Sequence, residues 1–126
     1  MTVLEPKEQA EILKNSPTEG QIATEQIAVL AESINVWLSN RDGFFALNFS
    51  FQGSVGRWDY VALCDGDPGN NAYGYLDGQW QYISATNSPY TTGTNFDGSR
   101  RFWVMYASWD YDQKAYKVES KSNDIR

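Results

Sequence analysis

The chain of 126 residues contains no histidine and only one cysteine, Cys64. Without histidine it has no Ser–His–Asp triad, no imidazole metal ligand and no side chain whose ordinary pKa lies near neutrality. A single cysteine excludes an intramolecular disulfide framework and any site built from several thiolates. Carboxylates, tyrosines, lysines and one thiol therefore remain as the chemically active groups.

Positive charge is also scarce. Ten basic residues stand against 16 acidic ones, which gives a formal net charge of −6 and argues against a general nucleic-acid binder, because phosphate contacts need clustered Lys and Arg. No apolar run reaches the roughly 18 residues of a membrane-spanning helix. The segment 1–8 is acidic overall and has no apolar core, so it does not resemble a secretory signal peptide. Because the sequence also has a free thiol, we expect a cytoplasmic protein.

Aromatic residues are abundant and unevenly distributed. The first 43 residues contain only Trp37, whereas eighteen aromatics lie between Phe44 and Tyr116. This shift in composition separates a polar lead-in from an aromatic-rich body. Residues 15–20, Asn-Ser-Pro-Thr-Glu-Gly, are typical of a linker, so we divide the chain into an N-terminal extension, 1–21, and a β-sandwich domain, 22–126. The extension is predicted to be either weakly structured or one short helix.

Residues 5–14 are the candidate for that helix. They are mostly good helix formers with Pro6 in the first turn. Only Ala10, Ile12 and Leu13 offer an apolar face, so a packed helix and a frayed tail both remain open. Residues 22–31 are open in the same way, between a short helix and one more strand.

The domain consists of short segments of alternating hydrophobicity, separated by turn residues. Hairpins are predicted for residues 33–39 with 44–51, for 73–76 with 79–83 across Asp77-Gly78, and for 102–108 with 114–120. One more strand is predicted at 58–64, and a long polar loop at 84–99.

About seven short strands without helical crossovers indicate an all-β protein, an antiparallel immunoglobulin-like β-sandwich. The apolar residues of these segments supply its predicted core: Val36, Leu38, Phe45, Leu47, Phe49, Trp58, Val61, Leu63, Leu76, Trp80, Ile83, Val104, Tyr106 and Val118.

The loop at residues 65–71, Asp-Gly-Asp-Pro-Gly-Asn-Asn, offers the oxygen ligands that hard cations prefer. Its opening is typical of a calcium loop, but its sixth and twelfth positions hold Asn70 and Leu76, where an EF-hand has Gly and Glu. Two interpretations stay open: a calcium site of another kind through Asp65, Asp67 and Asn70, or an ordinary polar turn. No other cofactor is predicted.

Catalysis has little basis in the sequence. Glycoside hydrolysis needs two carboxylates held about 5–10 Å apart, and no spacing points to such a pair. Cys64 lacks a histidine base, and its aliphatic neighbours in a strand are typical of a small buried residue. We predict that the protein is not an enzyme.

The aromatics suggest binding instead. They occupy both alternating registers of the strands, as Phe102 and Trp103 show, so some of them are expected to face solvent. Exposed Tyr and Trp beside polar groups are typical of sugar-stacking platforms and of protein interfaces. The candidate ligand-binding residues, mostly loop aromatics, are Tyr73, Tyr90, Trp109, Asp110 and Tyr111.

Two segments resemble a known family. Residues 59–64, Asp-Tyr-Val-Ala-Leu-Cys, and 101–106, Arg-Phe-Trp-Val-Met-Tyr, resemble a pattern of immunoglobulin-like SKICH-type domains. There one strand reads roughly Asp-Trp-(Ile/Val)-Gly-Leu-(Phe/Tyr), from which Tyr60, Ala62 and Cys64 depart, and a later strand has an aromatic-x-x-x-Tyr spacing. The resemblance implies a sandwich with a non-catalytic role in localisation or protein contacts.

Three functions follow as hypotheses. The first is an interaction module that recognises a protein partner or its own copy through exposed aromatics and open edge strands. The second is a carbohydrate- or small-ligand-binding module, and the third is a calcium-dependent binding domain. The first requires an aromatic patch or an open strand edge, the second a ligand site among the loop aromatics.

Overall fold

The computed structural model describes residues 3–15, 32–53 and 55–126, and shows an antiparallel β-sandwich preceded by one short helix. The elements are α1 (Pro6–Lys14), β1 (Glu32–Arg41), β2 (Phe44–Gln52), β3 (Tyr60–Asp65), β4 (Trp80–Tyr82), β5 (Tyr90–Asn95), β6 (Phe102–Asp110) and β7 (Ala115–Ser122). The all-β prediction is confirmed. No helix in the described ranges is long and apolar enough to cross a membrane.

The strands form two sheets. Sheet A has the order β1-β2-β5 and sheet B the order β4-β3-β6-β7, with antiparallel pairing throughout. The β1–β2 hairpin turns at Asp42-Gly43, whose φ angles of 55° and 90° are those that a two-residue turn requires. This hairpin and the β6–β7 hairpin confirm two of the three predicted ones.

The edges of the two sheets are joined on both sides of the sandwich. After β7 the chain runs parallel to β1, where Leu38 donates its N–H to the carbonyl of Asp124 (2.7 Å) and accepts from the N–H of Arg126 (2.8 Å). On the other side, Oε1 of Gln79, just before β4, accepts from the N–H of Gly93 (2.8 Å) and the hydroxyl of Thr94 (3.1 Å) in β5. The described strands therefore form a nearly closed structure.

Sheet B packs against a hydrophobic core on each of its faces. The inner core lies between the sheets and contains Val36, Leu38, Phe45, Leu47, Phe49, Val61, Leu63, Ile83, Val104 and Tyr106. The outer core lies on the opposite face and contains Ala10, Tyr60, Ala62, Cys64, Ala72, Tyr82, Met105, Ala107, Trp109 and Tyr116. Side chains alternate between the two faces along a strand. Because a core covers each face, the first five residues of β3 are all buried, some in the inner core and some in the outer core.

The predicted core corresponds to the inner core. All ten of its members are among the predicted residues, whereas Trp58, Leu76, Trp80 and Val118 are only half-buried. The outer core is not predicted from the sequence, because it needs a cover that comes from distant parts of the chain. That cover is α1, whose Ala10 is buried, and the segment between β3 and β4.

The predicted hairpin of residues 73–76 with 79–83 is wrong in its first strand. The Asp77-Gly78 turn exists, with the N–H of Gln79 donating to the carbonyl of Leu76 (3.0 Å). Residues 73–76 do not form a strand. The backbone groups on the two sides of the turn bind to Leu63 of β3 and not to each other: Leu63 donates its N–H to the carbonyl of Gln79 and accepts from the N–H of Leu76. Tyr73 and Tyr75 pack instead on the outer core.

The long loop predicted at 84–99 is also wrong, since it contains β5. This strand pairs with β2, with Thr91 opposite Ala46 and Tyr90 opposite Leu47. Its β-branched threonines suit a pleated edge, although its overall composition is that of a loop. The residues 22–31 and the boundary between 21 and 22 lie outside the described ranges.

Candidate functional site

Tyrosine hydroxyls attach the covering segments to the outer core. Tyr82 donates to the carbonyl of Leu4 (2.7 Å), Tyr116 to that of Trp58 (2.7 Å), and Tyr60 to that of Ala72. A tyrosine suits this position because its ring fills an apolar layer while its hydroxyl satisfies a backbone carbonyl above it. The N-terminal segment is thereby held over sheet B.

Tyr116 is the centre of an edge-to-face ring cluster. Its ring centroid lies 4.8 Å from that of Tyr60, 5.1 Å from that of Trp109 and 6.2 Å from that of Tyr73. The expected exposure of Trp109 is wrong, since only 8% of the residue is accessible. The reason is that β6 extends to Asp110, so that Trp109 pairs with Tyr116 inside the ladder instead of starting a loop.

A cavity of about 260 Å³ lies between α1, Tyr73 and the start of β7. Its apolar wall comes from Tyr73, Ala10 and Ala115, and its polar wall from Lys7, Glu11, Lys14 and Lys114. Ligand pockets usually measure roughly 300–1,000 Å³, so this cavity lies just below the usual range and has room only for a small molecule. It is the candidate site, and it joins segments about one hundred residues apart in the sequence.

The predicted ligand-binding residues are only partly brought together. Tyr73 lines the cavity, and Tyr111 is half-buried against the outer core. The carboxylate of Asp110 accepts from the N–H groups of Asp112 (2.9 Å) and Gln113 (3.1 Å), which shapes the β6–β7 turn. Tyr90 is apart from the others, because it packs on the inner core from sheet A.

The charged residues of the cavity are not identified by sequence reasoning. Lys7, Glu11 and Lys14 have the pattern of a solvated helix face, and Lys114 that of a polar turn. Lys114 has a φ of 52°, unusual for a residue with a side chain, which closes the turn before β7. No short-range signal connects a turn near the end of the chain to a helix near its start.

The acidic loop at residues 65–71 has its carboxylates engaged by cations. Arg101 binds Asp65 through two parallel contacts of 2.6 and 2.5 Å, and Lys121 binds Asp67 at 2.6 Å. These bonds lower the pKa of both carboxyl groups. Asn70 is exposed, and no group of three or more His, Cys, Asp or Glu suited to a metal occurs in the described ranges. Both aspartates of the calcium-site hypothesis are therefore already paired with cations, and the calcium site stays a prediction.

Two further groups of possible chemical use are enclosed. Burial raises the pKa of Cys64 to about 12, so its thiol is protonated at neutral pH. Asp59 is 4% exposed and accepts from the N–H of Gly56 (2.9 Å) and the hydroxyl of Tyr106 (2.8 Å). Burial raises its pKa above the usual value, because desolvation outweighs these hydrogen bonds.

Three half-buried tryptophans each have a basic group over the ring. Arg126 lies 4.5 Å from the centroid of Trp37, Arg57 lies 4.9 Å from that of Trp58, and Nζ of Lys121 lies 5.6 Å from that of Trp103. Cation–π contacts of this kind contribute about 0.5–1 kcal/mol at exposed sites. These indoles are therefore not bare stacking platforms.

Comparison of the chain with family models, with curated proteins and with solved structures finds no match in any of the three.

Proposed function

We propose that the protein is a non-catalytic module that binds a small ligand in the cavity between α1 and the β6–β7 turn. The observation that carries the proposal is the cavity itself, a concave space with one tyrosine wall, two alanines and a charged rim. Ligand sites are typically mostly apolar with a few polar groups that orient the ligand. Of the hypotheses that the sequence leaves open, this one uses Tyr73.

Several features support a non-catalytic role. The thiol of Cys64 is protonated and buried, and Asp59 is enclosed by its hydrogen-bond donors. Asp65 and Asp67 are held in ion pairs. The resemblance to SKICH-type domains supports the same role, and the free buried thiol is compatible with the cytoplasm as its location.

The test is a replacement of the cavity wall. We expect NMR titration with benzoate, phenol and glucose to shift amide signals of Ala10, Tyr73 and Ala115 for at least one probe. Tyr73→Ala should weaken that binding about tenfold, which corresponds to about 1.4 kcal/mol. Tyr90→Ala is the matched control, because Tyr90 is equally large and half-buried but packs on the other core. Signal changes confined to other surfaces would overturn the proposal.

A protein partner or a second copy is the second candidate function. The observation in its favour is that Phe44 is 36% exposed and shares the outer face of sheet A with Trp37. The strand edges favour this function less. Leu38 of β1 and Gly93 of β5 already have hydrogen-bond partners within the chain, so these backbone groups are not open to a partner strand.

For self-association through this face, we expect the mass in solution to rise with concentration and Phe44→Ser to return the protein to a monomer. Sedimentation equilibrium measures both. A monomer at every concentration for the unchanged chain would remove the second copy from consideration and leave only a different partner.

A further inference from the structure

We infer that the ligand of the α1 cavity is a small organic anion, an oxyanion group attached to one flat apolar ring. Lys7 and Lys114 would hold the oxyanion, and Tyr73 would contact the ring. The inference rests on the proposed function and names the ligand class for the same site.

All ten basic residues lie in the described part of the chain. Eight of them have a partner, either a carboxylate, a backbone carbonyl or an aromatic ring: Lys14, Arg41, Arg57, Arg100, Arg101, Lys117, Lys121 and Arg126. In an acidic protein extensive pairing is expected, because carboxylates outnumber the cations.

The two basic residues left over are Lys7 and Lys114. Neither ammonium group has an ion pair, a side-chain hydrogen bond or a ring contact within the described residues, and both line the same cavity. They come from opposite ends of the chain, so that their convergence is a product of the fold. Two unpaired cations beside one cavity are the arrangement that a bound anion would neutralise.

The cavity as a whole is positive in a negative protein. Lys7, Lys14 and Lys114 outnumber its one carboxylate, Glu11, which lies 3.3 Å from Nζ of Lys14. Hydrogen bonds between an ammonium group and an oxyanion are about twice as strong as neutral ones. A monosaccharide fits less well, because its hydroxyls need acceptors and the side chains offer only a paired carboxylate and the Tyr73 hydroxyl.

Size and lining define the rest of the ligand. An apolar cavity of about 150 Å³ holds one benzene molecule. The volume of about 260 Å³ therefore leaves room for one ring and one oxyanion group, but not for a nucleotide. Ala10 and Ala115 contribute only small apolar side chains to the lining, and the ring of Tyr73 packs edge-to-face against that of Tyr116.

The experiment compares matched probes on the 126-residue chain. Benzoate and phenyl phosphate carry the oxyanion and the ring, benzamide and phenol carry the ring alone, and inorganic phosphate carries the oxyanion alone. Measured by calorimetry and by NMR shifts at Ala10 and Ala115, the ring-bearing anions should bind about tenfold more tightly than the other probes. Their affinity should fall as sodium chloride is raised.

The variants test the two cations directly. Lys7→Met and Lys114→Met should each weaken benzoate binding about fivefold to tenfold, and together abolish it. Lys117→Met is the matched control, because Lys117 lies on the adjacent strand but is paired with Glu119. The midpoint of thermal unfolding shows whether each variant is folded, and the salt dependence of the unchanged protein tests the charge without any substitution.

The outcomes separate the two proposals. If benzamide binds in the cavity as tightly as benzoate, or if the lysine variants bind benzoate as the unchanged protein does, the anion inference is overturned and the small-ligand site stands. If no probe shifts the cavity signals, both proposals are contradicted.

Discussion

Asp59→Ala is expected to lower the free energy of unfolding by about 2–4 kcal/mol. The hydrogen bonds from the Gly56 N–H and from the Tyr106 hydroxyl both end on the same carboxylate oxygen, Oδ2. Alanine leaves the buried Tyr106 hydroxyl and the partly buried Gly56 N–H without this acceptor, and a fully buried donor so deprived costs about 1–3 kcal/mol. Chemical denaturation monitored by tryptophan fluorescence measures the loss.

Asp59→Asn is the matched control for this substitution. The amide oxygen can occupy the position of Oδ2 and accept both bonds, so we expect less than half of the alanine effect. The fit is close, because a Cβ added at Gly56 would lie 2.6 Å from Oδ1 of Asp59. Equal losses for the two variants would show that the hydrogen bonds do not stabilise this corner of the fold.

The same pair of proteins tests the ionisation of Asp59. Burial raises the pKa of Asp59 in the folded state above its ordinary value of 3.8, so the folded state binds the proton more tightly than the unfolded one. The contribution of Asp59 to stability is therefore greatest below pH 3.8 and falls as the pH rises through the folded pKa. Asp59→Asn lacks this dependence.

The measurement is the difference in unfolding free energy between the unchanged protein and Asp59→Asn as a function of pH. Asp65 and Asp67 contribute with the opposite sign, because their pKa values are lowered by ion pairs, but they are common to both proteins and cancel. Parallel profiles for the two proteins would contradict the raised pKa.

Local sequence signals predict those parts of the fold that depend on neighbours in the chain. Asp42-Gly43 specifies a tight turn between two alternating segments, so the β1–β2 hairpin and its inward residues are predictable. The strand β5 is not, because its partner β2 lies about 45 residues earlier and nothing in Tyr90–Asn95 itself marks the pairing.

The candidate site is predictable only in part, for a related physical reason. Alternation along β3 indicates two faces, but it does not show that both are buried, since that depends on whether α1 and Tyr73 cover the second one. The sequence suggests a loop at Trp109 because the end of β6 has no turn-forming glycine or proline to mark it. The cavity forms only when three segments that are distant in the sequence meet: α1, Tyr73 and the start of β7.

Removal of residues 123–126 is expected to lower the free energy of unfolding by about 3 kcal/mol. The deletion removes two backbone hydrogen bonds to Leu38, which is fully buried, and the packing of Ile125 on the inner core. It also opens the edge of β1, whose unpaired N–H and C=O groups then form a template for another strand. We therefore expect a less stable protein that self-associates more strongly than the 126-residue chain.

Arg126→Ala separates the two effects, because it removes the guanidinium over Trp37 and keeps the backbone bond of residue 126 to Leu38. This substitution should lower the free energy of unfolding by about 0.5–1 kcal/mol and leave the degree of self-association unchanged. Denaturation and sedimentation of both variants provide the comparison. If the truncated protein is as stable and has the same mass as the unchanged chain, the C-terminal segment does not close the sandwich.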